Sequence, residues 1–288
     1  MLIRIGYDVR FEIPAPTPMV LMLYLHPSRV SSQQGEETLR LEPDLPVDHY
    51  IDCFGNHCGR IVAPAGELRI FNSGVVEDSG QPDEVFPSAK QHRVDELPPD
   101  VMQFLLASRY CEVDRMTDIA WNLFGQTPLG WPRVQAVVQW CHNYVFFGYP
   151  HARVTKSAYD VYMERKGVCR DFMHLAITFC RCLNIPARYA TGYLGDIGVP
   201  AAPEPMDFSA WFEVYLENRW WTFDARHNKP RIGRVLMARG RDAVDVALTT
   251  SFGPTILRKF EVTTEEIKPE AMGMSGLPAI AAVARVAD

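Results

Sequence analysis

The chain has 288 residues, of which 47% are apolar and 22% charged, an ordinary balance for a globular protein with one large core or two smaller ones. Its 35 acidic side chains outnumber 29 basic ones, for a formal net charge of −6. That argues against nucleic acid or an anionic membrane as a partner, because both reward clustered Lys and Arg. The opening stretch "MLIRIGYDVRFEIP" lacks a basic segment followed by a long apolar run, and no later stretch is apolar for the ~18 residues a membrane helix needs. A cytoplasmic protein with no signal peptide and no membrane partner is expected.

Residues 1 to 95 read as strands. In "LIRIGYDVRFEI" the residues Ile3, Ile5, Tyr7, Val9 and Phe11 alternate onto one face. Pro14, Pro16 and Pro18 break the run, and "MVLMLYLHP" follows as a short apolar strand. "HYIDCFGNHCGRIVAP" reads as two strands joined at Phe54-Gly55-Asn56, and "ELRIFNSGVVED" adds one strand or two. No helical period of useful length appears before residue 95. The polar, Pro-containing "SGQPDEVFPSAKQHRVDELPPD" then reads as a linker.

Helices follow. One is expected in "PPDVMQFLLASRYC", a short one in "RMTDIAWNLFG" that stops at Gly125, and one in "WPRVQAVVQWCHNYVFFGY" with a proline in its first turn. The clearest pattern begins at Cys169, where Phe172, Leu175, Ala176, Phe179 and Leu183 share a face; this helix is predicted to end at Asn184, before Pro186. "ARYATGYL", "FSAWFEVYL" and "RWWTFDA" then read as strands. The expected division is a β domain over 1–95, a core over 96–268 with helices first and an antiparallel sheet after, and a loosely held Ala-rich tail over 269–288.

The seven cysteines are odd in number, which disfavours a disulfide framework. Cys53 and Cys58 have no second pair nearby, and Cys180 and Cys182 would point apart on a helix, so no metal or other cofactor is expected. Cys169 differs from the others by its position. A thiol in the first turn of a helix feels the positive end of the peptide dipoles, which favours thiolate.

The strands "FSAWFEVYL" and "WWTFDA" supply a possible partner. Ser209, Trp211, Glu213 and Tyr215 lie on one face of the first. A two-residue turn between the strands puts Asp224 on that same face, opposite Ser209 or one step diagonal to it, with Cβ atoms roughly 5–8 Å apart. A carboxylate there would orient an imidazole at position 209, but the residue is serine.

"GVCRDFMHL", "DFSAWFEVYLENRWW" and "TFDARHN" together resemble the transglutaminase-like superfamily, in particular bacterial members regarded as candidate cysteine proteases; the early part with its "DCFGN" turn resembles their preceding β domain. The resemblance implies an α+β fold, an N-terminal all-β sandwich-like domain followed by a papain-like core with an antiparallel sheet. It implies a Cys–His–Asp triad in which Cys169 is the nucleophile and Asp224 the acid, acting on a peptide or protein substrate through a thioester. The family's histidine position, just before "AW", is Ser209 here.

A serine hydroxyl does not accept a proton near pH 7, and loss of a triad base lowers rate by a factor on the order of 10⁴. Three readings stand: another histidine is the base, Cys169 acts alone, or the groove only binds a peptide or protein. His227 is nearest in sequence, but on a continuing strand its parity turns it away from Asp224. His174, about 140° round the helix from Cys169, reads as a packing histidine, and His151 lies in an unplaced loop. Trp211 is expected to wall a substrate groove. Asp171 complements the helix dipole, and "ARHNKPRIGR" reads as a solvated basic surface.

Overall fold

The structure, a computed structural model, describes residues 1–35, 39–201 and 207–268. The tail expected over 269–288 lies outside the described residues.

The first half forms β1 (Leu2–Ile13), β2 (Thr17–Leu21), β3 (Gln33–Gln34), β4 (Arg40–Glu42), β5 (Asp48–Ile51), β6 (His57–Ala63) and β7 (Gly66–Glu77). The alternating side chains Ile3, Ile5, Tyr7, Val9 and Phe11 of β1 are all buried in the core between two sheets. The β5–β6 turn forms where its sequence suggests: Gly55 takes a positive φ of 84°, and Asp52 Oδ1 accepts the Phe54 and Asn56 N–H groups.

The helices are α1 (Val113–Phe124), α2 (Trp131–Tyr144), α3 (Ala158–Glu164) and α4 (Cys169–Cys182), with the short strands β8 (Phe146–Phe147) and β9 (Lys166–Gly167) between them. Helix α1 stops at Gly125 and α2 carries its proline in the first turn, both as read from sequence. Helix α4 ends two residues earlier than expected, with Asn184 just beyond it at φ 61°. The segment from Pro99 closes as a 3₁₀ helix, Pro99–Leu105, instead of an α-helix. Its two buried residues, Val101 and Phe104, fit a period of three, and Arg181 draws off the Leu106 carbonyl just past its end.

The core sheet runs β12 (Arg219–Phe223), β11 (Ser209–Leu216), β10 (Ala187–Leu194), β13 (Arg234–Gly240), all antiparallel. Helix α4 is buried from Asp171 onward and lies on one face of this sheet, against Ala210, Phe212, Val214 and Leu216, with α1, α2 and α3 around it. The molecule is therefore α+β, a mixture of helix and antiparallel sheet.

The last described strands, β14 (Thr249–Ser251) and β15 (Ile256–Ile267), return to the first half. β14 pairs with β2, and β15 pairs with β1 from Leu2 opposite Ile267 to Glu12 opposite Ile256. Residues counted with the core in the sequence division thus complete both N-terminal sheets, because β1 leaves one edge unpaired by β7 and only a distant strand fills it. The turn at Asn56 also docks on the core: its side-chain amide exchanges hydrogen bonds with the Arg239 backbone at 2.7 and 2.8 Å. Among the described residues, no helix is long and apolar enough to cross a membrane.

Candidate active site

The approach to Cys169 is built by close packing before α4. The Val168 N–H donates to Asp171 Oδ2 at 2.9 Å, which caps the first turn. Gly167 permits this, since a Cβ there would stand 2.6 Å from both Cβ and Oδ2 of Asp171. Cys169 is the first residue of the helix and is partly exposed. Its thiol is nevertheless not lowered as expected for a helix start. Burial of the sulfur, aided by the nearby Asp207 charge, pushes it up to about 11; the Arg226 charge and the N–H groups of Arg170 and Ala210 act the other way and are outweighed.

The second part of the site hangs on the β11–β12 hairpin. Glu217 and Asn218 form its two-residue turn, both with positive φ (48° and 62°), and Leu216 faces Arg219. The register reaches Phe212 opposite Phe223. Continued one step, it sets Trp211 opposite Asp224 and Ser209 one diagonal step away, within the arrangement expected from sequence.

Beyond Phe223 the strand ends and the chain turns, so the parity that was to aim His227 away no longer applies. Asn228 sits at φ 50°, its N–H donates to the Asp224 carbonyl, and its side-chain amide is held by Gln135 and Gln139 of α2. This turn folds His227 back onto Asp224. The imidazole Nδ1 lies 2.8 Å from Asp224 Oδ2, while Asp224 Oδ1 accepts the N–H groups of Arg226 and His227. Burial alone would raise the Asp224 carboxyl, but the His227 hydrogen bond and the Arg234 guanidinium hold it well below the usual carboxylate range. An ionised carboxylate only accepts, so Nδ1 carries the proton, and in the neutral ring Nε2 is the free acceptor.

Arg234 donates from Nη2 to Asp224 and from Nε to both carboxylate oxygens of Asp83 in the linker. Arg231 is buried as well and donates to the Gly195 carbonyl. Of the stretch read as a solvated basic surface, Lys229 and Pro230 are exposed, whereas the Arg231 and Arg234 side chains are buried and paired. Basic residues flanking a site look like surface in sequence, because the groups that pair them, Asp83 and Gly195 among them, lie far along the chain. Asp83 carries no local signal in the sequence; Arg234 closes the basic stretch "ARHNKPRIGR", and its carboxylate partners are Asp224 and Asp83.

Cys169, Ser209 and His227 line one cavity of about 620 Å³, together with Arg226, Asp207 and the end of β15 at Glu265 and Glu266. Trp211 does not wall it. It shares the face of Asp224 as expected, but that face is covered there, and the indole packs with Ala190 and Leu236 under the Arg234 guanidinium at 2% exposure. His174 is a packing residue, stacked on Tyr110 and accepting the Ala243 N–H. His151 packs against Phe146 and does not line the cavity.

The family model of the transglutaminase-like superfamily matches residues 121–225, the segment from α1 to just past Asp224. A solved structure of a candidate cysteine protease from Cytophaga hutchinsonii is 30% identical, covers 93% of this chain and 91% of its own, and superposes with a TM-score of 0.80. The chain belongs to the transglutaminase-like superfamily. An uncharacterised protein of Mycobacterium leprae is 30% identical over 118 residues, and one of Mycobacterium tuberculosis 28% over 102 residues. These matches cover 42% and 32% of the mycobacterial proteins, so the chain spans less than half of either. This transglutaminase-like chain has a cysteine at a helix start and a carboxylate after the hairpin, with Ser209 one diagonal step from the carboxylate and an imidazole returned to it from three residues downstream.

Proposed function

We propose that the protein is a cysteine acyl-transfer enzyme that hydrolyses amides of peptides or proteins, or transfers their acyl group to an amine, with His227 in place of the missing histidine at 209. The observation that carries this reading is the Asp224–His227 pair at 2.8 Å, its imidazole opening on the cavity that also holds Cys169. In this reading the Nε2 of His227 takes the Cys169 proton as the sulfur attacks the carbonyl carbon. The C–S bond forms and the C–N bond breaks as the same proton passes to the departing nitrogen. Water or an amine then releases the acyl group and restores the thiol. A thiol held near 11 needs such a base, because little of it is thiolate at neutral pH.

The raised thiol also favours a second reading, a groove that binds a peptide or protein without turnover. Turnover of an acyl-anilide panel separates the two. The enzyme reading requires activity in the wild type that disappears in both Cys169→Ala and His227→Ala. Activity that survives Cys169→Ala, or a wild type that binds peptides without cleaving any anilide, refutes it.

A further inference from the structure

Cys169 stands between two cavities of different character. The first, of about 620 Å³, contains His227 and the charged groups Arg226, Arg231, Glu265 and Glu266. The second, of about 420 Å³, adjoins the first at the cysteine and is walled by Val154, Ala210, Ala243, Val246, Ala247 and Leu248. The two share Tyr149, Cys169, Asp207, Phe208 and Ser209, so Cys169 lines both, but His227 lines only the first. Of the charged side chains at the second cavity, Arg153 pairs with Asp160 and Glu164 and Arg170 donates to the Arg153 carbonyl, while Asp207 sits on the rim shared with the first cavity and accepts the Phe208 N–H. Val154 and Val244, flanking this wall, are left 74% and 49% exposed, apolar surface that a bound chain would cover.

The chemistry of the step assigns a side to each half of the substrate. The imidazole that takes the thiol proton must hand it to the leaving nitrogen, so that nitrogen occupies the charged cavity beside His227. The acyl carbon sits at the sulfur, and what remains of the acyl group extends away from the imidazole. We propose that the apolar cavity is the acyl-group subsite and that it selects an aliphatic acyl chain of several methylenes. This rests on the acyl-transfer reading above.

The test is Cys169 acylation by p-nitrophenyl acetate, butyrate, hexanoate and octanoate. Sulfur attacks the ester carbonyl, the C–O bond breaks and p-nitrophenolate leaves, giving a burst and an acyl mass shift on Cys169. The acylation rate constant divided by the apparent Kd is expected to rise about fourfold per buried methylene until the cavity is full. In Ala247→Phe, and in Ala243→Leu should the first variant not fold, the rise is expected to flatten. A chain-length dependence that is flat or falling while Cys169 is still acylated overturns the subsite and leaves the acyl-transfer reading standing. A slope unchanged in both variants overturns the subsite as well. Failure of any ester to acylate Cys169 in folded protein overturns the acyl-transfer reading and the subsite with it.

Discussion

His227 Nδ1 lies 2.8 Å from Asp224 Oδ2 although the two residues are three apart at the end of a strand, where alternation would turn them to opposite faces. The turn closed by Asn228 at positive φ reverses that outcome. It sets an imidazole, oriented by a buried carboxylate, in the wall of the cavity that holds Cys169.

Asp224 also holds the fold through Arg234 and the backbone N–H groups of the turn. Asp224→Asn is expected to lower the unfolding free energy by about 2 kcal/mol at pH 7, as for loss of hydrogen bonds to a charged group. Because the folded carboxyl is depressed, its contribution is fully present above the unfolded value of about 3.9 and is lost as pH falls below it. Denaturant unfolding at pH 7 and pH 3 should therefore show the wild type and variant converging in acid. A gap that stays constant or widens would assign the loss to another cause.

The resting thiol is held near 11, mainly by burial, so Cys169 is a thiol and not a thiolate before substrate arrives. Alkylation of Cys169 by iodoacetamide should climb about tenfold per pH unit from 7 to 10, following the thiolate fraction. A rate that is flat from pH 5 to 8 would instead show a preformed thiolate–imidazolium pair.

Gly167→Ala should destabilise the protein by about 1–3 kcal/mol, since the added Cβ meets Asp171 at 2.6 Å and pushes on the cap that starts α4. The comparison is Gly35→Ala, where nothing lies within 4 Å and only the positive φ opposes the change. Equal losses in the two variants, measured by denaturant unfolding, would show that the contact with Asp171 is relieved easily.

Much of this arrangement is legible in the sequence because it depends on local periodicity. The helix from Cys169 follows from spacing alone, and so does the shared face of Ser209, Trp211 and Asp224 once a two-residue turn joins their strands. What is not legible depends on where regular structure stops or on distant partners. The strand leaves its register just before His227, so parity misplaces that residue. The face of Trp211 is assigned correctly, but its cover comes from Ala190, Leu236 and Arg234, which no local pattern reports. The placement of β15 beside β1 joins opposite ends of the chain through strands that look no different from core strands.

The identity of the base is decided most directly by the rate of Cys169 acylation by a p-nitrophenyl ester at pH 7.5 in His227→Gln and Ser209→Ala. With His227 as the base, His227→Gln loses a factor on the order of 10³, while Ser209→Ala stays within about threefold of wild type. Full acylation in His227→Gln, or a large loss in Ser209→Ala alone, would contradict it.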